Sequence, residues 1–308
     1  MVNSEKSIKI IFAGLDEGGK TSILNALKKK NYALDDIKPT KGINRLSLKV
    51  LDVSFNEFDL GGQEMYRKIY LQKKEAFYNT DLLFYVIDIS APERYSDALD
   101  YYKSIVEILS EREERPTVVV LFHKIDKIEK IKEEQVQNVQ NSILNISIDL
   151  DLEFFRTSIF EPQTLMNAYS HGINRISKQT SELSAQLKEM AAETFADAIL
   201  LTESNGFIIG EYAKDDESRE MLMNVYNYLI GAFSYMYKSL AQTDKPERIL
   251  IDWEDKGHSF LDSTEIDNLE FFFIKYTSNP RKVVQKFVLR SLIQSSKQIR
   301  NIIKSYFD

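Results

Sequence analysis

The sequence predicts an α/β domain with a doubly wound, mostly parallel sheet, followed by an α+β domain with an antiparallel sheet. In the first half, strand-like and helix-like segments alternate, which is typical of parallel strands joined by helices. Near-continuous apolar runs at 82–90 and 117–122 are typical of strands covered on both faces. In the second half the order becomes helix, two strands, helix, three strands, helix. A chain of 308 residues is long enough for two domains, which we place at 1–178 and 179–308.

Each element of the first domain follows from its own residue pattern. Apolar and polar residues alternate over 45–51 and 53–59, which indicates a pair of antiparallel strands. The remaining strands are apolar runs, and the helices between them have apolar residues at helical spacing. The predicted order is strand 8–14, helix 20–30, strands 45–51 and 53–59, strand 82–90, helix 91–111, strand 117–122, helix 131–144 and strand 152–158.

The second domain begins after a long helical stretch, 162–192, which contains one interior glycine, Gly172. This stretch closes the first domain and leads to the second. Asn205-Gly206 joins two strand patterns and predicts a hairpin. The predicted order is strands 196–203 and 206–212, helix 218–241, strands 247–255, 258–264 and 268–277, and a helix over 281–307 after Pro280.

Composition excludes several classes of function. The net charge of -7 argues against nucleic acid as a partner, since a phosphate backbone attracts a basic face. There is no cysteine, and the three histidines, His123, His171 and His258, are too scattered to suggest zinc. No apolar run approaches the ~20 residues that span a bilayer. The start lacks a signal-peptide pattern and a glycine after Met1, and the end cannot be prenylated. We therefore expect a cytoplasmic protein that reaches membranes only through partners.

A glycine-rich segment between the first strand and the first helix matches a phosphate-binding loop. Gly14, Gly19, Lys20 and Thr21 satisfy the pattern G-x-x-x-x-G-K-[ST]. The glycines allow a tight turn whose N–H groups form an anion nest, Lys20 supplies a positive charge, and Thr21 offers a hydroxyl to Mg²⁺. The alternative without a ligand is that these glycines only form the turn that leads into the helix. The other loop residues assigned to nucleotide binding are Asp16, Glu17, Gly18 and Ser22.

A second motif, "FDLGGQE", lies at the end of the strand 53–59. Asp59 is placed to hold Mg²⁺ through water, Gly62 to offer its N–H to the γ-phosphate, and Gln63 to orient the attacking water. Taken alone, the same residues fit a turn at a strand end.

A third motif, "HKID", follows the strand 117–122 and selects the base. Asp126 can accept hydrogen bonds from the N1–H and N2–H₂ groups of guanine, a donor pair that adenine lacks. Lys124 can lay its stem along the base. Taken alone, this motif also fits a solvated loop. After the last strand, "TSI" places Ser158 and Ile159 where a backbone N–H can meet the guanine O6.

With these motifs in this order, the first domain resembles a Ras-like small GTPase with a P-loop G domain. "GLDEGGKTS", "PTKGIN" and "DLGGQE" are similar to the Arf branch, and that resemblance makes Thr40 the switch threonine on Mg²⁺ and the γ-phosphate. "HKID", "FFRTSIFEPQTLMNAYS" and "YLQKKEAFYNTDLLFYVIDIS" are similar to the Rag/Gtr branch, which carries a histidine at position 123. That histidine either donates to guanine N7 or braces the phosphate loop. The element order of the second domain is similar to the roadblock domain of Rag/Gtr proteins.

The resemblance implies a molecular switch that binds GTP and GDP with Mg²⁺ and hydrolyses GTP. Gln63 positions water and Lys20 neutralises charge. No internal arginine must act as an arginine finger, so unaided turnover should be slow and a partner could raise it by ~10³ to 10⁵-fold. Residues 36–44 and 61–77 would be the switches. The resemblance also implies homo- or heterodimerisation through the C-terminal domain, with activating factors, exchange factors or roadblock-type scaffolds as further partners. The aromatic helix with Phe233, Tyr235 and Tyr237 offers contacts, or is an ordinary core helix.

The sequence is also compatible with three other functions. The first is a GTP-binding scaffold with negligible hydrolysis, against which Gln63 argues. The second is an ATP-using P-loop enzyme, against which "HKID" argues. The third is an Arf-like trafficking switch that inserts into membranes.

Overall fold

The computed structural model describes residues 8–27, 42–50, 53–127, 129, 132–177, 180–204, 206–239, 248–266 and 269–279. The chain divides into two compact units, residues 1–168 and 169–308, and each is described by itself below. The domain boundary predicted after residue 178 falls outside the described residues. The predicted helix over 281–307 and the predicted Mg²⁺ ligand Thr40 also lie outside them.

The first unit contains a six-stranded sheet in which every pairing is parallel except one. The strand order is β2-β3-β1-β4-β5-β6, and β2 pairs antiparallel with β3. The strands are β1 (Lys9–Gly14), β2 (Ile43–Val50), β3 (Val53–Leu60), β4 (Leu82–Asp88), β5 (Thr117–His123) and β6 (Asp151–Thr157). The predicted mostly parallel, doubly wound sheet is confirmed.

The central strands are apolar along most of their length because helices cover both faces of the sheet. Every residue of β5 is buried, and so is every residue of β4 except the last. Phe12 and Phe84 stack on one face with ring centroids 4.6 Å apart. Burial of such a row stabilises the sheet by about 25 cal/mol for each Å² of apolar surface removed from water.

Four helices lie within the described part of this unit, namely α1 (Lys20–Leu27), α2 (Glu64–Lys73), α3 (Tyr95–Glu111) and α4 (Glu133–Ile146). A further helix, α5 (Pro162–Ile176), begins in this unit and continues past residue 168 into the second. α3 and α4 present apolar stripes to the core, as their spacing predicts. α2 was not predicted, since Tyr70 is its one buried residue and the rest of its sequence is mostly polar. A short 3-10 turn, Pro92–Arg94, precedes α3.

The second unit contains a five-stranded sheet in which all pairings are antiparallel, which confirms the predicted class. Its order is β8-β7-β11-β10-β9. The strands are β7 (Ala198–Glu203), β8 (Ile208–Ala213), β9 (Arg248–Asp252), β10 (His258–Ile266) and β11 (Leu269–Thr277). Among the described residues that follow α5, this unit has two helices, α6 (Thr180–Thr194) and α7 (Asp216–Ser239).

Side chains from α6 and α7 pack against this sheet. Leu222, Val225 and Tyr226 of α7 join the buried residues of β7 and β11 in one core. α6 approaches β8 at Gly210, where a Cβ would lie 2.7 Å from Cδ2 of Leu183. The glycine lets the helix lie this close to the strand without displacing the leucine side chains that face it.

The single helical stretch predicted over 162–192 is instead two helices. Gly172 lies inside α5 and does not interrupt it, whereas Ser177 is not helical and Thr180 begins α6. Serine and threonine hydroxyls hydrogen-bond locally to the backbone, which favours helix ends over helix interiors. Within the described residues, no helix is long and apolar enough to cross a bilayer.

Candidate functional site

The candidate site lies at the carboxyl ends of the parallel strands of the first unit. β1 ends at Gly14, which pairs with Val86 of β4. Asp88, His123 and Thr157 form one cross-strand row at the ends of β4, β5 and β6. In open α/β sheets ligands bind outside these strand ends. The register therefore brings together motifs that are more than a hundred residues apart in sequence.

Close packing requires the first and last glycines of the phosphate loop. Gly14 has φ +141°, and a Cβ there would lie 2.3 Å from the Val86 carbonyl oxygen. Gly19 has φ +95°, and a Cβ there would lie 2.7 Å from Cδ2 of His123. A side chain at either position would collide with the neighbouring strand end, so the pattern glycines are required by geometry as well as by turn conformation.

Lys20 is folded inward over the loop. Its ammonium donates to the carbonyl oxygens of Gly14 at 3.1 Å and Leu15 at 2.7 Å, and the residue is 5% exposed. Burial lowers the pKa of Lys20 to about 8, and the nearby carboxylates of Asp59 and Asp16 partly oppose that shift. The ammonium is thus held at the loop by two carbonyl oxygens, from where its positive charge could meet an anionic ligand.

Thr21 and Asp59 come together although 38 residues separate them. The Thr21 hydroxyl donates to Oδ2 of Asp59 at 2.7 Å. Hydroxyl and carboxylate oxygens are the ligands that Mg²⁺ prefers, and Mg²⁺ at nucleotide sites takes one or two protein ligands besides phosphate. This donor set fits the ion, which when bound would neutralise charge on phosphate oxygens.

Gly62 contacts the phosphate loop directly. The Asp16 N–H donates to the Gly62 carbonyl at 3.0 Å, and a Cβ at Gly62 would lie 2.3 Å from the Asp16 nitrogen. The next residue, Gln63, occupies the N-cap position of α2 with φ -61° and ψ 142°, and its side chain does not cap the helix. The segment after β3 is thus held against the loop, with Gln63 beside it.

His123 is a buried, neutral side chain beneath the phosphate loop. Its Nδ1 hydrogen-bonds to Oγ1 of Thr157 over 2.9 Å, and the residue is 1% exposed. Burial is the main cause that lowers the pKa of His123 to about 4, and the Lys124 charge adds to it. The ring faces Gly19.

Lys124 connects three strand ends. It adopts a left-handed backbone conformation, with φ +69°, and its ammonium donates to the Glu17 carbonyl at 2.7 Å and to Asp88 at 2.5 Å. Burial raises the pKa of Asp88, but hydrogen bonds from Lys124 and Ser90 outweigh it and leave the pKa below its usual range. Asp88 was not predicted as a site residue. Its position at the end of an apolar strand was the available signal.

Asp126 and Ser158 are also brought together. The Ser158 hydroxyl donates to Oδ1 of Asp126 at 2.5 Å, which orients the carboxylate. The Ser158 N–H donates in turn to Oγ1 of Thr164 at 3.1 Å. Ile159 follows in the same turn and is half-buried. The two loops predicted to meet a guanine base therefore lie next to each other.

Arg94 is a site residue that the sequence did not reveal. It lies in the turn before α3, where its Nη1 donates to the Asp16 carbonyl at 2.8 Å and its Nη2 contacts the Asp16 carboxylate. The pairing spans 78 residues of sequence, and the segment carries no motif.

The sheet topology, the phosphate loop and the Thr21–Asp59 pair define the first unit as a P-loop G domain. The family model "Gtr1/RagA G protein conserved region" matches residues 9–232, nearly three quarters of the chain. The chain therefore belongs to the Gtr1/RagA G protein family, and it is a Ras-superfamily GTPase of the Rag/Gtr type.

Individual relatives are moderately similar. "Ras-related GTP-binding protein A" of Dictyostelium discoideum is 28% identical over 207 residues, covering 65% of this chain and 68% of that protein. "GTP-binding protein gtr1" of Schizosaccharomyces pombe is 27% identical over 208 residues, covering 65% and 67%. The match to "Ras-related GTP-binding protein B" of Rattus norvegicus, 27% identical over 168 residues, covers 54% of this chain and 44% of that protein. Among solved structures, the Arl6 BBS3 small GTPase of Trypanosoma brucei is 21% identical with a TM-score of 0.49, covering 56% of this chain and 99% of that chain.

Proposed function

We propose that this protein is a molecular switch that binds GTP with Mg²⁺ and hydrolyses it slowly to GDP and phosphate. The observation that supports this most strongly is that one side chain connects the loop proposed to bind phosphate with the loop proposed to bind the base. Lys124 joins the phosphate loop, through Glu17, to the loop that carries Asp126. The proposed phosphate site and the carboxylate proposed to select guanine are therefore connected by one side chain at the same end of the parallel sheet.

At the phosphate end, the loop would cradle the β- and γ-phosphates. Backbone N–H groups of the residues from Gly14 to Ser22 supply the anion nest, and the Lys20 ammonium neutralises charge. Thr21 would hold Mg²⁺ directly and Asp59 would hold it through water, and Thr40 is the proposed third residue on the ion.

Catalysis would depend on positioning more than on covalent chemistry. Gln63 follows directly after Gly62, which contacts the loop, and this neighbouring position supports a role at the phosphate site. In this proposal Gln63 orients that water and Lys20 stabilises the charge that develops on the phosphate oxygens.

At the base end, Asp126 would accept both guanine donors, and the Ser158–Ile159 turn would face O6. Since Oδ1 of Asp126 already accepts from Ser158, its carboxylate is oriented before the base arrives. Of the two roles considered for His123, we propose the brace, because its ring is buried against Gly19 and bonded to Thr157.

The contact between Gly62 and Asp16 would transmit the nucleotide state to the switch segments. A γ-phosphate would compete for the amide groups at this junction, and α2 begins two residues later. Partners would read that change. We propose a roadblock-like C-terminal domain, residues 179–308, that forms homo- or heterodimers, in a cytoplasmic protein recruited to membranes by partners.

A single-turnover assay tests the proposed activity. The protein would be stripped of nucleotide, loaded with GTP in EDTA, and started with Mg²⁺ while phosphate release is recorded. We expect slow release that requires Mg²⁺. Tight GTP binding with no release above the buffer rate would favour a scaffold, and preferential use of ATP would overturn the proposal.

Light scattering coupled to size exclusion tests the proposed dimer. The protein would be measured alone and mixed with Rag/Gtr relatives over a range of concentrations. A monomer in every mixture at high concentration would refute dimerisation.

A further inference from the structure

Two acidic side chains stand in the phosphate loop itself. Asp16 and Glu17 follow Gly14 and Leu15, and both belong to the segment that would surround the phosphates. A carboxylate in an anion site repels the ligand, because like charges a few Å apart raise each other's electrostatic energy and solvent screens them only in part. The loop therefore needs a compensating charge besides Lys20.

Arg94 supplies that charge from outside the loop. One guanidinium nitrogen donates to the Asp16 carbonyl at 2.8 Å, while the other contacts the Asp16 carboxylate. The same guanidinium lies 4.0 Å from the Glu17 carboxylate. A guanidinium that engages backbone and side chain of one residue fixes both, since its planar fork holds two acceptors in a set geometry.

The pair is close to the ammonium that would meet the phosphates. The two groups shift the pKa of Lys20 in opposite directions, since the Asp16 carboxylate raises it and the Arg94 guanidinium lowers it. The side chains of Arg94 and Asp16 are 31% and 39% exposed, so the pair lies at the mouth of the site and is partly screened by solvent.

We propose that Arg94 is a positioning residue that neutralises Asp16 and holds its carboxylate aside, and that it thereby sets the preference for nucleoside triphosphate over diphosphate. This inference rests on the proposed function. The triphosphate brings one further phosphate group to the loop, so an uncompensated carboxylate at position 16 penalises GTP more than GDP. Arg94 acts through Asp16 and needs no contact with the nucleotide.

A double-mutant cycle with two ligands tests this inference. The dissociation constants of a non-hydrolysable GTP analogue and of GDP would be measured for the wild type, Arg94→Gln, Asp16→Asn and the double variant. The matched control is Arg112→Gln, since Arg112 pairs with Glu114 beyond the far end of the 17-residue α3, about 25 Å along the helix.

We expect Arg94→Gln to lower the preference for the GTP analogue over GDP about tenfold, since solvent screens much of the repulsion from a carboxylate that is 39% exposed. Asp16→Asn should raise the preference, because it removes a negative charge beside the phosphates and leaves Arg94 only the more distant Glu17 carboxylate. The double variant should return close to the wild-type preference, and Arg112→Gln should equal the wild type.

Three results would overturn the inference. Equal weakening of both ligands by Arg94→Gln would indicate a merely structural role. If the preference for the GTP analogue stays lowered in the double variant, Arg94 contacts the phosphates directly. Lowered preference in Asp16→Asn would contradict the charge argument even if Arg94→Gln does not fold. If the wild type binds neither guanine nucleotide, the proposed function itself fails, which is a separate outcome.

Discussion

The imidazole of His123 lies directly against Gly19 of the phosphate loop. A Cβ built at Gly19 would lie 2.7 Å from Cδ2 and 2.9 Å from Nε2 of the ring, closer than Cβ atoms approach other atoms in real proteins. The same ring bonds to Thr157 at the end of β6. One buried side chain thus connects the phosphate loop to both strands that carry the proposed base-binding residues.

This contact predicts that Gly19→Ala destabilises the protein more than a comparable change elsewhere. Gly42→Ala is the matched control, because Gly42 also has a positive φ, +74°, but a Cβ there meets nothing within 4 Å. We expect backbone strain alone, about 1 kcal/mol, from Gly42→Ala, and about 2 to 3 kcal/mol from Gly19→Ala, where overpacking is added. Urea unfolding of the nucleotide-free protein measures both. Equal losses would show that the ring yields to the added methyl group.

The buried histidine also predicts a pH dependence of stability. The pKa of His123 is about 4 in the folded protein and near 6.5 when unfolded, so the unfolded chain binds more protons between these values. The contribution of the neutral His123 side chain to the free energy of unfolding is present above pH 6.5 and is lost as the pH falls toward 4. Between pH 7 and pH 5 the free energy of unfolding should fall by about 2 kcal/mol more for the wild type than for His123→Gln. Parallel profiles of the two proteins would contradict a buried neutral ring.

Much of the fold could be predicted because its strands are locally distinctive. The apolar runs that became β4 and β5 are short and rich in β-branched and aromatic residues, which favours strands of a sheet covered on both faces. α2 could not be predicted in the same way. Its helical state depends on one buried residue, Tyr70, and on its place after β3, which are tertiary features.

The site was predictable where a motif spells out its own chemistry and not where two segments meet. The sequence assigned roles to Thr21 and Asp59 separately, and the parallel strands brought them together. Arg94 and Asp88 went unrecognised because their partners, Asp16 and Lys124, lie 78 and 36 residues away. Pairings of that kind depend on strand order and register, which the local pattern does not specify.

A test of Gln63 separates hydrolysis from binding. Gln63→Leu removes the amide that orients water but leaves the phosphate loop intact, so the single-turnover rate should fall on the order of 10²-fold. Gln137→Leu, an exposed position on α4, is the control for loss of a glutamine amide. Phosphate release from preloaded GTP measures the rate. Wild-type hydrolysis by Gln63→Leu would remove Gln63 from the mechanism.

Base selection by Asp126 can be tested by exchanging the hydrogen-bond pattern. Asn at this position can donate to a carbonyl at C2, which xanthine has where guanine has an amino group. Asp126→Asn should therefore weaken GTP binding by at least about 10²-fold and improve binding of xanthosine triphosphate. Asp100→Asn, an exposed change on α3, should alter neither affinity. Competition calorimetry with both nucleotides would decide, and unchanged GTP affinity would exclude Asp126 from base recognition.

The central proposal is that the carboxyl ends of the parallel strands in the first unit hold a guanine nucleotide. The most direct measurement is to denature the purified protein and identify the released nucleotide by chromatography, followed by competition of GTP, GDP and ATP for the stripped protein. If the site is specific for guanine nucleotides, the released fraction contains GDP or GTP, and excess ATP does not displace the bound guanine nucleotide. Release of ATP, or equal competition by ATP, would contradict it.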